Sequence, residues 1–121
     1  MPSQKTLDDF FAMVIAGQHD KAIEEFYAVD STMQENLGEI RKGRDANVAR
    51  ERMTLAAHKS VKTTVVPPVF VNGDEVVIHW IFEFTRPDDS VMRIEELAHQ
   101  KWHGKKIVEE RFYYDPAQVR R

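Results

Sequence analysis

Gln34, Glu35 and Asn36 set a carboxylate between two amides at the end of the stretch YAVDSTMQEN. Carboxylates do acid–base work at neutral pH when something strips their hydration and raises their pKa, so what surrounds Glu35 decides what it can do. The plain structural alternative is a strand-end carboxylate in solvent or paired with an arginine, with Asn36 making the turn before Gly38. Further along, Glu96 and Gln100 share the alternation of Trp102, and Glu110 shares that of Phe112. On strands all three would therefore face the same side as large apolar residues, and a slip of one residue would turn all three outward. The five histidines show no HExxH or HxH spacing, and His99 and His103, four apart, would stand ~13 Å from each other on a strand. Catalytic zinc wants three converging ligands, so no metal site is expected. Without cysteine the chain has no disulfide, no thiol nucleophile and no thiolate metal site.

The elements that must position these groups are legible from period and punctuation. Thr6 followed by Asp9 resembles a capping box, Phe10, Phe11, Val14 and Ile15 recur at helical spacing, and Gly17 stops this first helix. Asp20 is placed to cap a second helix with Ala22, Ile23, Phe26 and Tyr27 as its apolar stripe. A strand over residues 29–36 follows. Gly38 and Gly43 bracket a short reversal, and Asp45 is placed to cap a third helix reaching about His58.

From residue 61 the period becomes two. VKTTVVPPVFV carries Pro67-Pro68, which cannot donate ladder hydrogen bonds and so mark a bulge or an edge. Asn72-Gly73-Asp74 is a hairpin turn. The strand after it sets Val76, Ile78, Trp80, Phe82 and Phe84 against Val77, His79, Ile81 and Glu83. A strand over residues 92–102, the turn HGKK and the strand IVEERFYYD complete a meander. Helices first and long strands afterwards give an α+β plan with helices on one face of a sheet.

A chain of 121 residues suits one domain, here residues 1–121 with no linker or repeat. With 42% hydrophobic and 31% charged residues and no apolar run near the ~20 that span a bilayer, no membrane segment is expected. MPSQKTLDDFF lacks the basic start and apolar stretch of a secretory leader, so the expected location is the cytoplasm. A net charge of −3 argues against a nucleic-acid partner. The basic pieces, RKGR at 41–44 and Arg120-Arg121, are short.

The order of these elements, with YAVDSTMQEN, G-R-D-A, NGDEVVIHW and GKKIVEERFYYD, resembles the SnoaL-like and ketosteroid-isomerase-like branch of the NTF2-like superfamily, from about Leu7 to Asp115. The resemblance implies a strongly curved antiparallel sheet wrapped as a cone over three N-terminal helices, with an apolar pocket between them. Ketosteroid isomerases have a stretch like YADDATVEDP, and a gapless overlay puts its general base on Glu35. A carboxylate at the mouth of an apolar pocket suits that role, because lost hydration raises its pKa. Two features depart from the isomerase pattern. The oxyanion-donating tyrosine falls on Phe11, and its partner, a protonated acid, falls near Ala98, with Glu96 and Gln100 as the polar neighbours of like parity. Steroid isomerisation is therefore not expected. The Arg and Asp of limonene-epoxide hydrolases fall on Trp80 and Phe82, which disfavours that chemistry more strongly than the isomerase's.

By this resemblance the pocket draws on Phe11, Tyr27, Gln34, Asn36, Trp80, Phe82, Glu96, Gln100, Trp102, Phe112 and Tyr114, with Glu35 as the catalytic residue. The implied function is binding of a small, largely apolar ligand with one polar handle. Either cofactor-independent proton transfer of isomerase, cyclase or lyase type accompanies binding, or the domain is a non-catalytic ligand- or protein-binding module. No cofactor is implied. The superfamily's habit of pairing through the outer face of the sheet implies a homodimer, with His79, Glu83, Arg111 and Tyr113 on that face.

Overall fold

Three helices lie against the concave face of a six-stranded sheet, and the computed structural model describes residues 1–119. The terminal Arg120-Arg121 lies outside the described residues. In chain order the elements are α1 (Gln4–Ile15), α2 (His19–Phe26), β1 (Tyr27–Glu35), β2 (Arg41–Lys42), α3 (Arg44–Ala56), β3 (Ser60–Asn72), β4 (Glu75–Thr85), β5 (Val91–His103) and β6 (Lys106–Tyr113), followed by a 3₁₀ turn (Pro116–Val119). No helix among the described residues is long and apolar enough to cross a membrane.

Helix starts differ from the sequence expectation in an informative way. The first cap is Ser3, whose hydroxyl oxygen accepts the Thr6 N–H at 3.1 Å, and Thr6 itself is buried in the first turn. Such a cap contributes about 1 kcal/mol. Asp20 lies inside the first turn of α2, paired with Arg52 of α3 at 3.0 Å, so its charge ties two helices together. Gly43, at φ +104°, occupies the cap position of α3 and puts Asp45 in the first turn. Tyr27 is already extended (φ −104°, ψ 142°) and opens β1 instead of closing α2.

The strand order is β2-β1-β6-β5-β4-β3. From β3 to β6 the sheet is an antiparallel meander, but β1 runs parallel to β6. That junction follows from connectivity. β1 reverses into β2, α3 carries the chain to the far edge, and three hairpins bring β6 back beside β1. Both alternatives for Pro67-Pro68 hold together: β3 is an edge strand, and its register slips between Val66 and Phe70. Further slips between Lys101 and Trp102 in β5 and between Tyr27 and Thr32 in β1 let the sheet curve.

Alternation fixes what the concave face offers. Val76, Ile78, Trp80 and Phe84 of β4 are buried with Ala98 and Trp102 of β5 and Ile107 of β6. Phe10 of α1 is the hub where helices meet sheet, with ring contacts to Phe26, Trp80 and Trp102 at 5.5, 6.4 and 5.8 Å. Burying a side chain of this kind stabilises by about 1.5–3 kcal/mol. The convex face holds the opposite parity: His79 pairs with Glu95 and His99 with Glu75, each at 2.6 Å, and the Arg111 guanidinium lies 4.7 Å from the centre of the Tyr113 ring.

Candidate acid-lined pocket

Between the helices and the concave face lies a cavity of about 280 Å³. Aromatic walls come from Phe10, Trp80, Phe82 and Phe112, and the polar groups from Glu35, Glu51, Glu96, Glu110, Arg41 and His19. A second depression of about 290 Å³ lies near Gly17, His58 and Phe84, and no carboxylate lines it. The carboxylates therefore gather at the first.

The deepest polar cluster follows from sheet register. Gln100 and Glu110 are direct partners across β5 and β6, so their side chains meet on the concave face. Gln100 Nε2 donates to Glu110 Oε2 at 2.6 Å, Trp102 Nε1 donates to Gln100 Oε1 at 3.0 Å, and the Tyr27 hydroxyl donates to Glu110 Oε1. Both oxygens of Glu110 are thus occupied. Burial still outweighs these two donors and lifts Glu110 to about 7. Burial first, and then the charge of Glu110, hold the Tyr27 hydroxyl protonated.

Glu96 is the opposite case. It points to the same face as Gln100, two side-chain repeats further from Trp102, and is 9% exposed. Its Oε2 is buried with no hydrogen-bond partner among the described residues. Burial, followed by the charges of Glu110, Glu35 and Glu51, pushes it up to about 8. At neutral pH Glu96 is an uncharged acid facing the cavity, a group able to donate a proton.

Glu35 lies at the rim. Its Oε2 accepts from Arg41 Nη1 at 3.3 Å, and its side chain is 44% exposed. Arg41 reaches it because β2 folds back on β1 and pairs Met33 with Arg41. Burial and then the charge of the neighbouring Glu35 push the Tyr114 hydroxyl up to about 12. On the opposite wall His19 is clamped between Thr63 Oγ1 at 2.8 Å and Glu51 Oε1 at 3.4 Å, its ring edge-on to Phe82 at 5.2 Å. No group of His, Asp and Glu among the described residues is arranged to hold a metal ion.

Of the residues singled out from sequence, Tyr27, Glu35, Trp80, Phe82, Glu96 and Phe112 line the cavity together. Gln34 and Asn36 do not: side chains alternate along β1, so Met33 and Glu35 face inward and their neighbours turn away. Gln34 donates to the Gly38 carbonyl at 3.0 Å. Asn36, at φ +52°, accepts the Tyr114 N–H at 3.0 Å and holds the end of β1 to β6. Phe11 flanks the core against Trp80, Trp102 packs under Phe10, and Gln100 supports Glu110 from behind, so none of the three forms the wall. Tyr114 is not part of the wall either, although its hydroxyl feels the charge of Glu35. Arg41, His19, Glu51 and Asn47 line the cavity without having been singled out for it. Arg41 read as part of a short basic turn, and only the β1–β2 pairing reveals it as the partner of Glu35.

A curved α+β cone with a pocket under three helices defines the NTF2-like class of fold, and solved structures share it. The chain belongs to the SnoaL-like domain family, whose model matches residues 7–110. A candidate SnoaL-like polyketide cyclase of Mesorhizobium loti is 25% identical, with a TM-score of 0.76 over 91% of this chain and 97% of that one. A ketosteroid-isomerase-like protein of Catenulispora acidiphila, solved in complex with trimethylamine, is 18% identical with a TM-score of 0.79 over 97% and 90% of the two chains. An NTF2-like protein of unknown function from an Exiguobacterium species is 23% identical with a TM-score of 0.72, over 92% and 98%. No curated protein matches the chain in sequence.

Proposed function

We propose that this protein binds a small, largely apolar ligand with one polar handle and moves a proton on it without a cofactor, as an isomerase, cyclase or lyase does. The observation that carries the proposal is Glu96, a buried, uncharged carboxyl with an unpartnered oxygen in an aromatic-walled cavity. Proton removal beside a carbonyl needs a base for the carbon-bound proton and a donor for the oxygen that becomes charged. Glu35 at the rim is the base in this scheme, and Glu96 is the donor. Glu96 compensates for what the isomerase pattern lacks here, since Phe11 has no proton to give and the isomerase acid falls near Ala98, two residues away on the same face of β5. The Tyr27 hydroxyl is committed to Glu110, which leaves Glu96 as the free donor. A positioned base contributes ~10²–10⁴ in rate and one such donor ~10²–10³. Ring closure by carbon–carbon bond formation is one reaction of this type, in keeping with the candidate cyclase among the relatives.

The test is deuterium exchange at activated carbons across a panel of cyclic enones and β-keto compounds, followed by NMR. Exchange by the wild type that falls at least a hundredfold in both Glu96→Gln and Glu35→Gln is the expected outcome, and equal exchange in all three chains would refute the catalytic assignment. The second reading, a non-catalytic ligand- or protein-binding module, draws on the Glu35–Arg41 pair, in which a half-exposed carboxylate already has its counter-ion. Binding without exchange selects it. Self-association through the convex face of the sheet, where Leu97 and Tyr113 are exposed, belongs to the same proposal.

A further inference from the structure

The proton transfer proposed above leaves one polar cluster of the cavity unused: His19, Glu51 and Thr63. His19 opens α2 and is 8% exposed, and its Nε2 lies 2.8 Å from the hydroxyl of Thr63, itself buried on β3. Nδ1 lies 3.4 Å from Glu51 Oε1, beyond the roughly 2.7–3.2 Å of a good N–H···O bond. Glu51 forms no other ion pair and no hydrogen bond among the described residues, although a carboxylate has about four acceptor sites. His19 and Glu51 line the cavity and Thr63 does not, so the Nδ1 edge of the ring is the one that meets it. Among the described residues only Ser31 Oγ, Arg41 Nε and Glu96 Oε2 are side-chain polar atoms both buried and unpartnered. Nδ1 and the Glu51 oxygens make no hydrogen bond and are outside that set, so they are open to a group the size of water.

A donor and an acceptor side by side call for a ligand group that is both. The carboxylate beside Nδ1 selects a hydrogen there, and the Thr63 hydroxyl, able to give or to accept, donates to Nε2. In the imidazolium Nδ1 carries hydrogen as well, so it is a donor in either form. Resting on the small-molecule pocket described above, we infer that His19 and Glu51 form a second polar subsite that takes a hydroxyl of the ligand, Nδ1–H donating to its oxygen and Glu51 accepting its hydrogen. An ether or carbonyl oxygen has no hydrogen for Glu51 and would bring lone pairs against the carboxylate. An ammonium would suit Glu51 but would turn hydrogens toward the Nδ1–H. The rings of Phe82 and Phe84, 5.2 and 6.4 Å from that of His19, hold the imidazole in place. With its enolisable carbonyl at Glu35 and Glu96, the ligand is then a hydroxylated ketone whose two oxygens meet opposite walls. The cavity, about 280 Å³, is at the small end of ligand pockets and suits a body of one or two rings.

A panel of tetralones tests this without turnover. Each ring position away from the carbonyl carries hydrogen, hydroxyl, methoxy or amino in turn, and calorimetry measures the affinities. At the best position the hydroxyl compound should bind at least about tenfold more tightly than its methoxy, amino and unsubstituted counterparts, as a hydrogen bond to a charged group allows. Glu51→Leu removes the acceptor, and His19→Gln keeps an amide for Thr63 but presents no Nδ1–H. Each should abolish the preference while changing the affinity of the unsubstituted tetralone by less than about threefold. Circular dichroism checks that both variants fold, and Glu51, 25% exposed on α3, carries the test alone should His19→Gln unfold. A hydroxyl preference absent at every position, or one that survives Glu51→Leu, means that the pair holds only water; it overturns the second subsite and leaves the pocket proposal standing. Failure of every tetralone to bind overturns both.

Discussion

Replacing Glu96 by Gln should flatten the dependence of stability on pH. The wild-type carboxyl is lifted from 4.5 to about 8 in the folded chain, chiefly by burial. A folded-state pKa above the unfolded value means that the native chain holds a proton the unfolded chain gives up, so this stabilisation is fully present below about pH 4.5 and is lost as pH rises toward about 8. At about 1.4 kcal/mol per pH unit, the wild type should lose about 3–4 kcal/mol between about pH 5 and about pH 8 from this residue alone. The amide of Glu96→Gln is a neutral group of the same shape with nothing to ionise. The two chains should therefore match within about 1 kcal/mol at the acid end, and the variant should be more stable by about 3 kcal/mol at the alkaline end. Glu110 titrates in both chains, so its contribution largely cancels in the difference. Urea unfolding at a series of pH values measures this directly. Parallel stability curves would show that Glu96 ionises normally, and the case for an uncharged acid in the cavity would fail.

Other perturbations probe the surrounding parts. Tyr27→Phe removes a donor that holds the pKa of Glu110 down; the loss should be about 1–3 kcal/mol at neutral to alkaline pH and smaller in acid, where Glu110 is protonated. Phe10→Ala empties the hub between helices and sheet and should cost about 3–5 kcal/mol, read as a drop in thermal midpoint; a loss below about 1 kcal/mol would contradict its central place. Leu97→Glu places a charge on the convex face. If the chain pairs there, sedimentation should show a dimer in the wild type and a monomer in the variant, whereas a monomeric wild type would remove that part of the proposal.

Period and punctuation carried most of the fold. The alternation of Val76, Ile78, Trp80 and Phe84 against His79 and Glu83 requires one buried face, and the buried residues of β4 follow it. Helix caps were less legible, because Ser3, Thr6 and Asp9 all carry capping side chains and only packing of Thr6 selects Ser3. The parallel β1–β6 junction was hidden, since it depends on where α3 delivers the chain. The site was half visible. Parity placed Glu96, Gln100 and Glu110 inward, but which carboxyl keeps a free oxygen depends on Tyr27, which reaches Glu110 from a distant part of the chain. Period two also separates Glu35 from Gln34 and Asn36, so the three polar groups that stand in a row in the sequence do not act as a set. The arginine that completes the rim, Arg41, is six residues from Glu35 and reaches it only through a two-residue strand.

The central claim is that an uncharged carboxyl faces the cavity at neutral pH, and a carbon-13 NMR titration of glutamate side chains observes it directly. Two carboxyl resonances should titrate at about 7 to 8, well above the rest, with Glu96→Gln abolishing the higher of them. A chain in which every glutamate titrates in the ordinary range, around 4 to 5, would contradict the account.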